Sequence, residues 1–422
     1  MRLLFINASQ VVTCAGPPRA RRGVEMRDAR ILNDVAVAVE GERIVAIGPV
    51  SELRALGANA EQIDCRGCVI LPGLVDSHTH AVFGRPRYEE QELRAAGQGY
   101  MDIAARGGGI HASVRDVRAR DEEDLFGIAR ERLLNMASYG TTTVEVKSGY
   151  GLTTEDELKL LRVVGRLGQA LPLRLIPTFL GAHEIPLEHR RTASGRNAYI
   201  DLLVREMLPA VASANLARFA DAFCEPGVFS VAETRLILSA ARKAGLALKL
   251  HADELEPSGG AELAAEIGAT SADHLAAISR EGINALVASG TVATLLPGTL
   301  LFLGRVRQAP ARTLIDSGAA VALATDFNPG TSPTVNFPLI LTLGVSQLRM
   351  SVAEVLVAST VNGAAALALA GDVGQLAPGF SADLALFEGE DARELPYWYG
   401  DRRCRGSWVR GKPCHPCDLR VS

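Results

Sequence analysis

Short apolar runs recur along the middle of the chain, each followed by a segment whose apolar residues repeat at helical spacing. Eight runs stand out, at 69–80, 141–147, 173–183, 219–224, 247–251, 270–274, 291–296 and 319–326. The segments between them, such as 155–171 and 231–244, are amphipathic with a period near that of a helix. Strands alternating with helices of this length predict βαβ units and a parallel sheet. Eight such units in one block predict a closed (β/α)8 barrel of the TIM type. The two ends of the chain differ. Residues 2–6, 35–40 and 43–49 near the start, and 382–388 and 407–412 near the end, are short alternating runs separated by Gly, Pro and Asp. They read as antiparallel strands of one small β-sandwich domain built from both termini, 1–67 and 374–422, around a barrel at 68–373.

Polar residues are placed unevenly on these runs. His78, His80, Lys147, His183, Cys224, His251, His274 and Asp326 all lie at C-terminal ends, where barrel active sites are assembled. Five of the eight histidines fall there, which dispersed surface histidines would not do. In a strand, residues i and i+2 share a face, so His78 and His80 aim two imidazoles at one point. With His251 and Asp326 they form a set of three nitrogens and one oxygen that suits zinc, iron, manganese or cobalt. A metal so held, with an open position, makes a nucleophile of water near neutral pH. His111, His189 and His415 lack this context and read as surface or loop residues. The long interval after the first run carries Gly107-Gly108-Gly109, which fits either a lid hinge or an ordinary connector.

Composition narrows the function class. The chain has 422 residues, 48% of them hydrophobic, and a formal net charge of -4 with no long run of like charge. Binding to nucleic acid or a membrane surface through bulk charge is therefore not expected. No segment reaches the ~18 apolar residues of a membrane helix, and the N-terminus reads as a first strand rather than a signal, so the expected location is cytoplasmic. Seven cysteines, an odd number, make no disulfide framework. The pairs Cys65/Cys68 and Cys414/Cys417 have zinc-site spacing but lack the accompanying turns, and free thiols are expected.

The motifs PGLVDSHTHAVFG (72–84), ARGGGI (105–110), TTTVEVKSGYGL (141–152), GAHEIP (181–186), LHADEL (250–255), SADHL (271–275), LLPGT (295–299) and ATDFNPGTSPT (324–334) together carry a resemblance. The chain resembles the amidohydrolase superfamily and, within it, the imidazolonepropionase family of histidine degradation. The HxH pair with a later His and a TD pair marks only the superfamily; KSGYG, GAHEIP, HADE and TDFNPGTSP are far more specific.

The resemblance implies hydrolysis of 4-imidazolone-5-propanoate to N-formimidoyl-L-glutamate. It implies one metal, zinc or iron, held by His78, His80, His251 and Asp326. Some superfamily members hold two metals on a carboxylated lysine, a role only Lys147 could fill here. A propionate arm needs a guanidinium, and Arg87 matches the family's substrate arginine, with Arg85 close by. Tyr150, His183, Glu254, Asn328, Gly330 and Thr331 match substrate-contacting positions. The expected chemistry has Asp326 taking a proton from the attacking water, His274 stabilising the oxyanion, and Glu254 protonating the departing ring nitrogen. Asp253, which shares strand parity with His251, is the rival carboxylate. The partner implied is a small carboxylate-bearing substrate, and a homodimer is expected because barrels of this type commonly pair. The alternative is another cyclic-amide hydrolase or a nucleobase-type deaminase, neither of which needs a carboxylate clamp.

Overall fold

The computed structural model describes residues 2–56, 60–98 and 107–415. Eight strands form one parallel sheet in sequence order: β1 Leu74–Asp76, β2 Thr141–Lys147, β3 Arg174–Ala182, β4 Phe219–Cys224, β5 Ala247–Ala252, β6 Ser271–His274, β7 Val292–Leu295 and β8 Val321–Leu323. Helices cross between them, including Glu122–Ala137, Thr154–Ala170, Val231–Lys243 and Arg280–Ser289. Their starts are written locally. Asp121, Thr153, Ser230 and Ser279 each accept a hydrogen bond from the backbone three residues on, satisfying an N–H the helix cannot. Helix Thr154–Ala170 then buries Leu160, Leu161, Val164 and Leu167 against the sheet, the stripe its periodicity predicts.

The ring closes between β1 and β8 beyond the ends of both strands. Asp326 N donates to His78 O at 3.0 Å and His80 N to Phe327 O at 2.8 Å. The Asp76 carboxylate accepts from Thr325 N at 3.0 Å and from Thr325 Oγ1 at 2.6 Å. This seam sets the first and last segments of the barrel side by side, and with them His78, His80 and Asp326.

The run at 69–80 is not one strand. Cys68–Pro72 leaves the barrel and pairs antiparallel with Leu384–Glu388 and parallel with Gln10–Val12, and only Leu74–Asp76 belongs to the barrel. The break is at Gly73, where a Cβ would lie 2.1 Å from Thr142 Oγ1, so the chain turns there against β2. A continuous apolar run hides the break because both pieces are buried. Ile70 packs in the sandwich while Val69, Leu71 and Leu74 pack in the main core.

The remaining strands form two facing sheets. One has the order Arg43–Pro49, Val35–Glu40, Arg2–Ile6, Glu61–Asp64; the other runs Lys412–His415, Cys404–Val409, Leu384–Glu388, Cys68–Pro72, Gln10–Val12, Ile31–Leu32. Phe5, Val37, Ile44 and Ile63 of the first pack on Ile70, Leu384, Leu386 and Trp408 of the second. Phe5 meets Trp408 edge-on at 5.0 Å. The sheets are mixed rather than antiparallel, since Arg2–Ile6 runs parallel to Glu61–Asp64. No described helix is long and apolar enough to cross a membrane. The six cysteines among the described residues are buried; Cys417, Ala105 and Arg106 lie outside the described residues.

Candidate active site

His78-Thr79-His80 continues β1 as an extended segment. Thr79 O accepts from Lys147 N at 3.0 Å, and Thr79 bridges to Phe327 on the other side. Thr79 turns away to bond Glu145 O at 2.6 Å, which leaves both imidazoles facing the barrel mouth. His78, His80 and His251 each bring a ligand atom within 4.8 Å of the others, and His78, His274 and Asp326 do the same. Asp326 Oδ1 lies 3.5 Å from His78 Nε2 and 3.6 Å from His80 Nε2, while its Oδ2 accepts from Thr299 Oγ1 at 2.5 Å.

The chemistry of this donor set fits a metal. Burial holds the imidazoles of His78, His80 and His274 well below their ordinary pKa, so each keeps a free lone pair. His78 Nε2 and His251 Nε2 are buried without a hydrogen-bond partner. Leaving such atoms unpaired costs about 1–3 kcal/mol each, and a cation between them removes that cost. The backbone is also held hard here, with φ of 50° at Asp253, 78° at His274 and 52° at Asp326.

Beneath the donors lies a layer of charge. Asp273 Oδ2 sits 2.6 Å from His78 Nδ1, and Asp221 Oδ2 sits 3.0 Å from His251 Nδ1. These contacts fix the rings and turn Nε2 toward the mouth. Lys147 Nζ is 2.7 Å from both Glu145 Oε1 and Asp221 Oδ2, and Lys249 Nζ is 3.5 Å from Asp273 Oδ2. Burial opposes the charge on Lys147, but Asp221, Glu145 and Asp273 outweigh it and hold the ammonium above its ordinary pKa. Lys147 is thus bound within the barrel as a cation. Glu145, Asp221, Lys249 and Asp273 were not singled out from the sequence. Glu145 and Lys249 lie two residues before Lys147 and His251 on the same strands, and that alternation is the signal that finds them, whereas Asp221 and Asp273 have no such relation to Cys224 and His274.

The pocket above is lined by Arg87, Tyr150, His183, Glu254, Asn328 and Thr331, together with His80, His251, His274 and Asp326. Arg87 is buried, and its Nε and Nη1 have no hydrogen-bond partner. Arg85 is exposed and pairs with Glu89 and Tyr88, away from the pocket. His183 Nδ1 donates to Gly149 O at 2.9 Å, and its ring stacks on His80 at 5.0 Å. Tyr150 packs 5.4 Å from the His183 ring. Glu254 Oε2 is 3.6 Å from His274 Nδ1, and burial, then Asp326 and Glu225, push its carboxyl up to about 8. Asp253 points the other way and accepts from Ser258 N, Gly260 N and Ala261 N around the start of helix Gly260–Glu266. Gly330 does not line the pocket. Its N–H is spent on Asn328 Oδ1 at 2.8 Å, which also accepts from Thr331 N at 2.8 Å.

The profile of the amidohydrolase family matches residues 69–414, and that of the bacterial imidazolonepropionase-like composite domain matches 36–56. Imidazolonepropionase of Symbiobacterium thermophilum is 48% identical over 94% of this chain and 93% of its own. That of Alkaliphilus metalliredigens is 45% identical over 94% of each chain. The chain belongs to the amidohydrolase family, among the imidazolonepropionases. Solved structures share the fold at low identity. An adenosine deaminase from Xanthomonas campestris with bound zinc has a TM-score of 0.73 at 18% identity, covering 100% of this chain and 94% of its own. A triazine hydrolase from Arthrobacter aurescens has a TM-score of 0.72 at 19% identity, covering 100% and 96%. Family and donor set together support a metal cofactor.

The pocket lining also includes residues outside the sequence expectation, among them His111 and Glu225. His111 is buried rather than on the surface, at the start of helix Ile110–Arg118, and lines the pocket. Its Nε2 lies 3.3 Å from Arg190 Nη1, and burial, with Arg190, lowers its pKa to about 4. The guanidinium can only donate, so Nε2 accepts and Nδ1 carries the proton. Glu225 follows β4 and accepts from Glu254 N at 3.1 Å and Glu256 N at 2.9 Å, fixing the loop that carries Glu254. Neither has a positional signature in the sequence, because the loops that bring them to the pocket have no fixed period.

Proposed function

We propose that this chain hydrolyses 4-imidazolone-5-propanoate to N-formimidoyl-L-glutamate, the reaction its relatives' name denotes. The observation that carries this reading is Arg87, buried in the same pocket as the histidines with Nε and Nη1 unpaired. A buried guanidinium with hydrogen-bond donors left unused calls for a carboxylate, which it binds by charge-assisted hydrogen bonding. Carboxylate-free rings, such as those of nucleobase deamination, would leave these donors without a hydrogen bond, and this favours the propanoate substrate over that alternative.

His78, His80, His251 and Asp326 would hold the metal; three imidazoles and one carboxylate suit zinc, iron, manganese or cobalt, and the family resemblance favours zinc or iron. Such a cation activates water and polarises a carbonyl oxygen. The chain's own groups do the rest. Arg87 binds the propionate arm, and Tyr150 and His183 wall the ring against His80. Asp326, whose Oδ2 is held by Thr299, takes a proton from the attacking water at Oδ1. His274 stabilises the oxyanion that forms on the former carbonyl. Glu254, kept protonated by its surroundings, delivers a proton to the departing ring nitrogen, and the lactam C–N bond opens. Asn328 and Thr331 receive the glutamate-like end of the product, with Gly330 shaping their loop.

The reading extends to a homodimer in a reducing cytoplasm. The exposed run Tyr397-Trp398-Tyr399 supports an interface between copies, and an odd number of cysteines with no disulfide framework supports the compartment. The decisive test incubates metal-analysed protein with 4-imidazolone-5-propanoate and follows loss of ring absorbance with product identified by mass. Metal-loaded protein that fails to turn it over overturns the proposal.

A further inference from the structure

Glu90 is a buried carboxylate on helix Tyr88–Ala95, one turn after Arg87, that the reaction above does not use. Its Oε1 accepts from Gly109 N at 2.6 Å and lies 3.6 Å from Arg87 Nε. Its Oε2 accepts from Arg94 Nη2 at 3.2 Å, and Arg94 Nη1 in turn donates to Gly330 O at 3.0 Å. One carboxylate therefore joins three parts of the pocket: the substrate arginine, the loop of Asn328 to Thr331, and the 107–111 wall, held at Gly109. That wall carries Gly108, Ile110 and His111 into the pocket. Gly109 adopts φ 66° and ψ -149°, open only to glycine, so the turn needs an anchor for its N–H.

The arrangement around Arg87 explains what the charge does. Gly330 blocks the guanidinium at Nη2, where a Cβ would lie 1.3 Å away. Glu90 faces it at Nε across 3.6 Å, beyond hydrogen-bond length but close enough for a strong charge contact. Nη1 is the remaining edge, buried and unpaired. Glu90 also pairs with Arg94, at 3.2 Å, so its charge is shared between two guanidiniums and does not fully neutralise Arg87.

We propose that Glu90 is a positioning residue for the carboxylate arm of the substrate. It holds Arg87 and the 107–111 wall in one arrangement, so the arm meets a preset guanidinium instead of ordering one. This inference rests on Arg87 being the clamp of the proposed reaction, and the test separates the two.

Metal-loaded wild type, Glu90→Gln, Glu90→Asp and Arg87→Ala are titrated with 3-(imidazol-4-yl)propanoate and with its alcohol, 3-(imidazol-4-yl)propan-1-ol. Glu90→Gln keeps the volume and should weaken the propanoate by about tenfold, since small misplacements of a binding group cost that much or more. The alcohol should change by less than about twofold on the same argument. In turnover, KM should rise with kcat nearly unchanged, and Glu90→Asp, which keeps the charge, should recover part of the loss. Equal weakening of both ligands by Glu90→Gln, or Asp performing no better than Gln, overturns the positioning role. If Arg87→Ala is selective for the propanoate while Glu90→Gln is not, the clamp stands and the role of Glu90 falls. Selectivity in neither variant overturns both.

Discussion

The guanidinium of Arg87 lies against the α-carbon of Gly330, so close that a methyl group there would sit 1.3 Å from Nη2. Gly330 is needed for space rather than for backbone freedom, since its φ is not positive. Gly330→Ala should therefore push Arg87 out of place without touching the metal donors. KM for the propanoate substrate should rise by about tenfold or more, with metal content unchanged. Arg87→Ala should act in the same direction and more strongly, while Arg85→Ala, on an exposed residue, should leave both constants near wild type. Steady-state kinetics with elemental analysis checks all three; an unaltered KM in Gly330→Ala would mean the guanidinium is not the clamp.

His78 reaches the site through Asp273. The carboxylate 2.6 Å from Nδ1 fixes the tautomer and leaves Nε2 for the metal. Asp273→Asn keeps the shape but can present its NH2 to that nitrogen, which turns the tautomer around. Metal affinity should fall by about 10- to 100-fold, the usual cost of losing such a partner. Competition with a chelator measures it. A variant that retains metal as well as wild type would show that Asp273 serves only the charge layer with Lys249.

The parts of the molecule legible in the sequence share a feature. His78, His80, His251, His274 and Asp326 interrupt apolar strand ends with side chains that such positions rarely carry, and seven of the eight runs match single barrel strands. Cys68–Pro72 escaped because an apolar run looks the same whether its residues fill one core or two, and a single Gly73 turn divides it. His111, Glu225 and Glu90 escaped for a different reason. Each reaches its place through a loop or a helix end, where no periodicity ties chain position to direction. Asp253 and Glu254 could not be ranked by spacing, and only the N–H groups of Ser258, Gly260 and Ala261 show which carboxylate is spent.

Lys147 offers a test of metal number. Its ammonium is fully buried between Glu145 and Asp221, and a carboxylated lysine would turn that attraction into repulsion. Purified protein should hold one metal per chain, whatever the bicarbonate supply, by elemental analysis. Lys147→Met should cost about 3–5 kcal/mol in denaturant unfolding, because two carboxylates stay buried without their cation. Two metals per chain, or a loss below about 1 kcal/mol, would contradict an ion-paired Lys147.

Glu254 supplies the pH dependence. Burial, then the negative charges of Asp326 and Glu225, push its carboxyl up to about 8. A bound cation cancels part of the contribution of Asp326, so the working value falls below that figure and toward neutrality. An acid with a raised pKa is active while protonated, and kcat should therefore fall as pH rises through this value. The base limb has the opposite sign. Burial raises Asp326 to about 6, and a cation draws it lower, so proton acceptance fails only on the acid side. Glu254→Gln cannot release a proton, and kcat should drop by about 100-fold or more, within the range of general-acid loss. The alkaline limb of kcat should disappear in that variant while the acid limb remains. An unchanged alkaline limb in Glu254→Gln would assign the proton to another group, with His274, 3.6 Å away, the next to test.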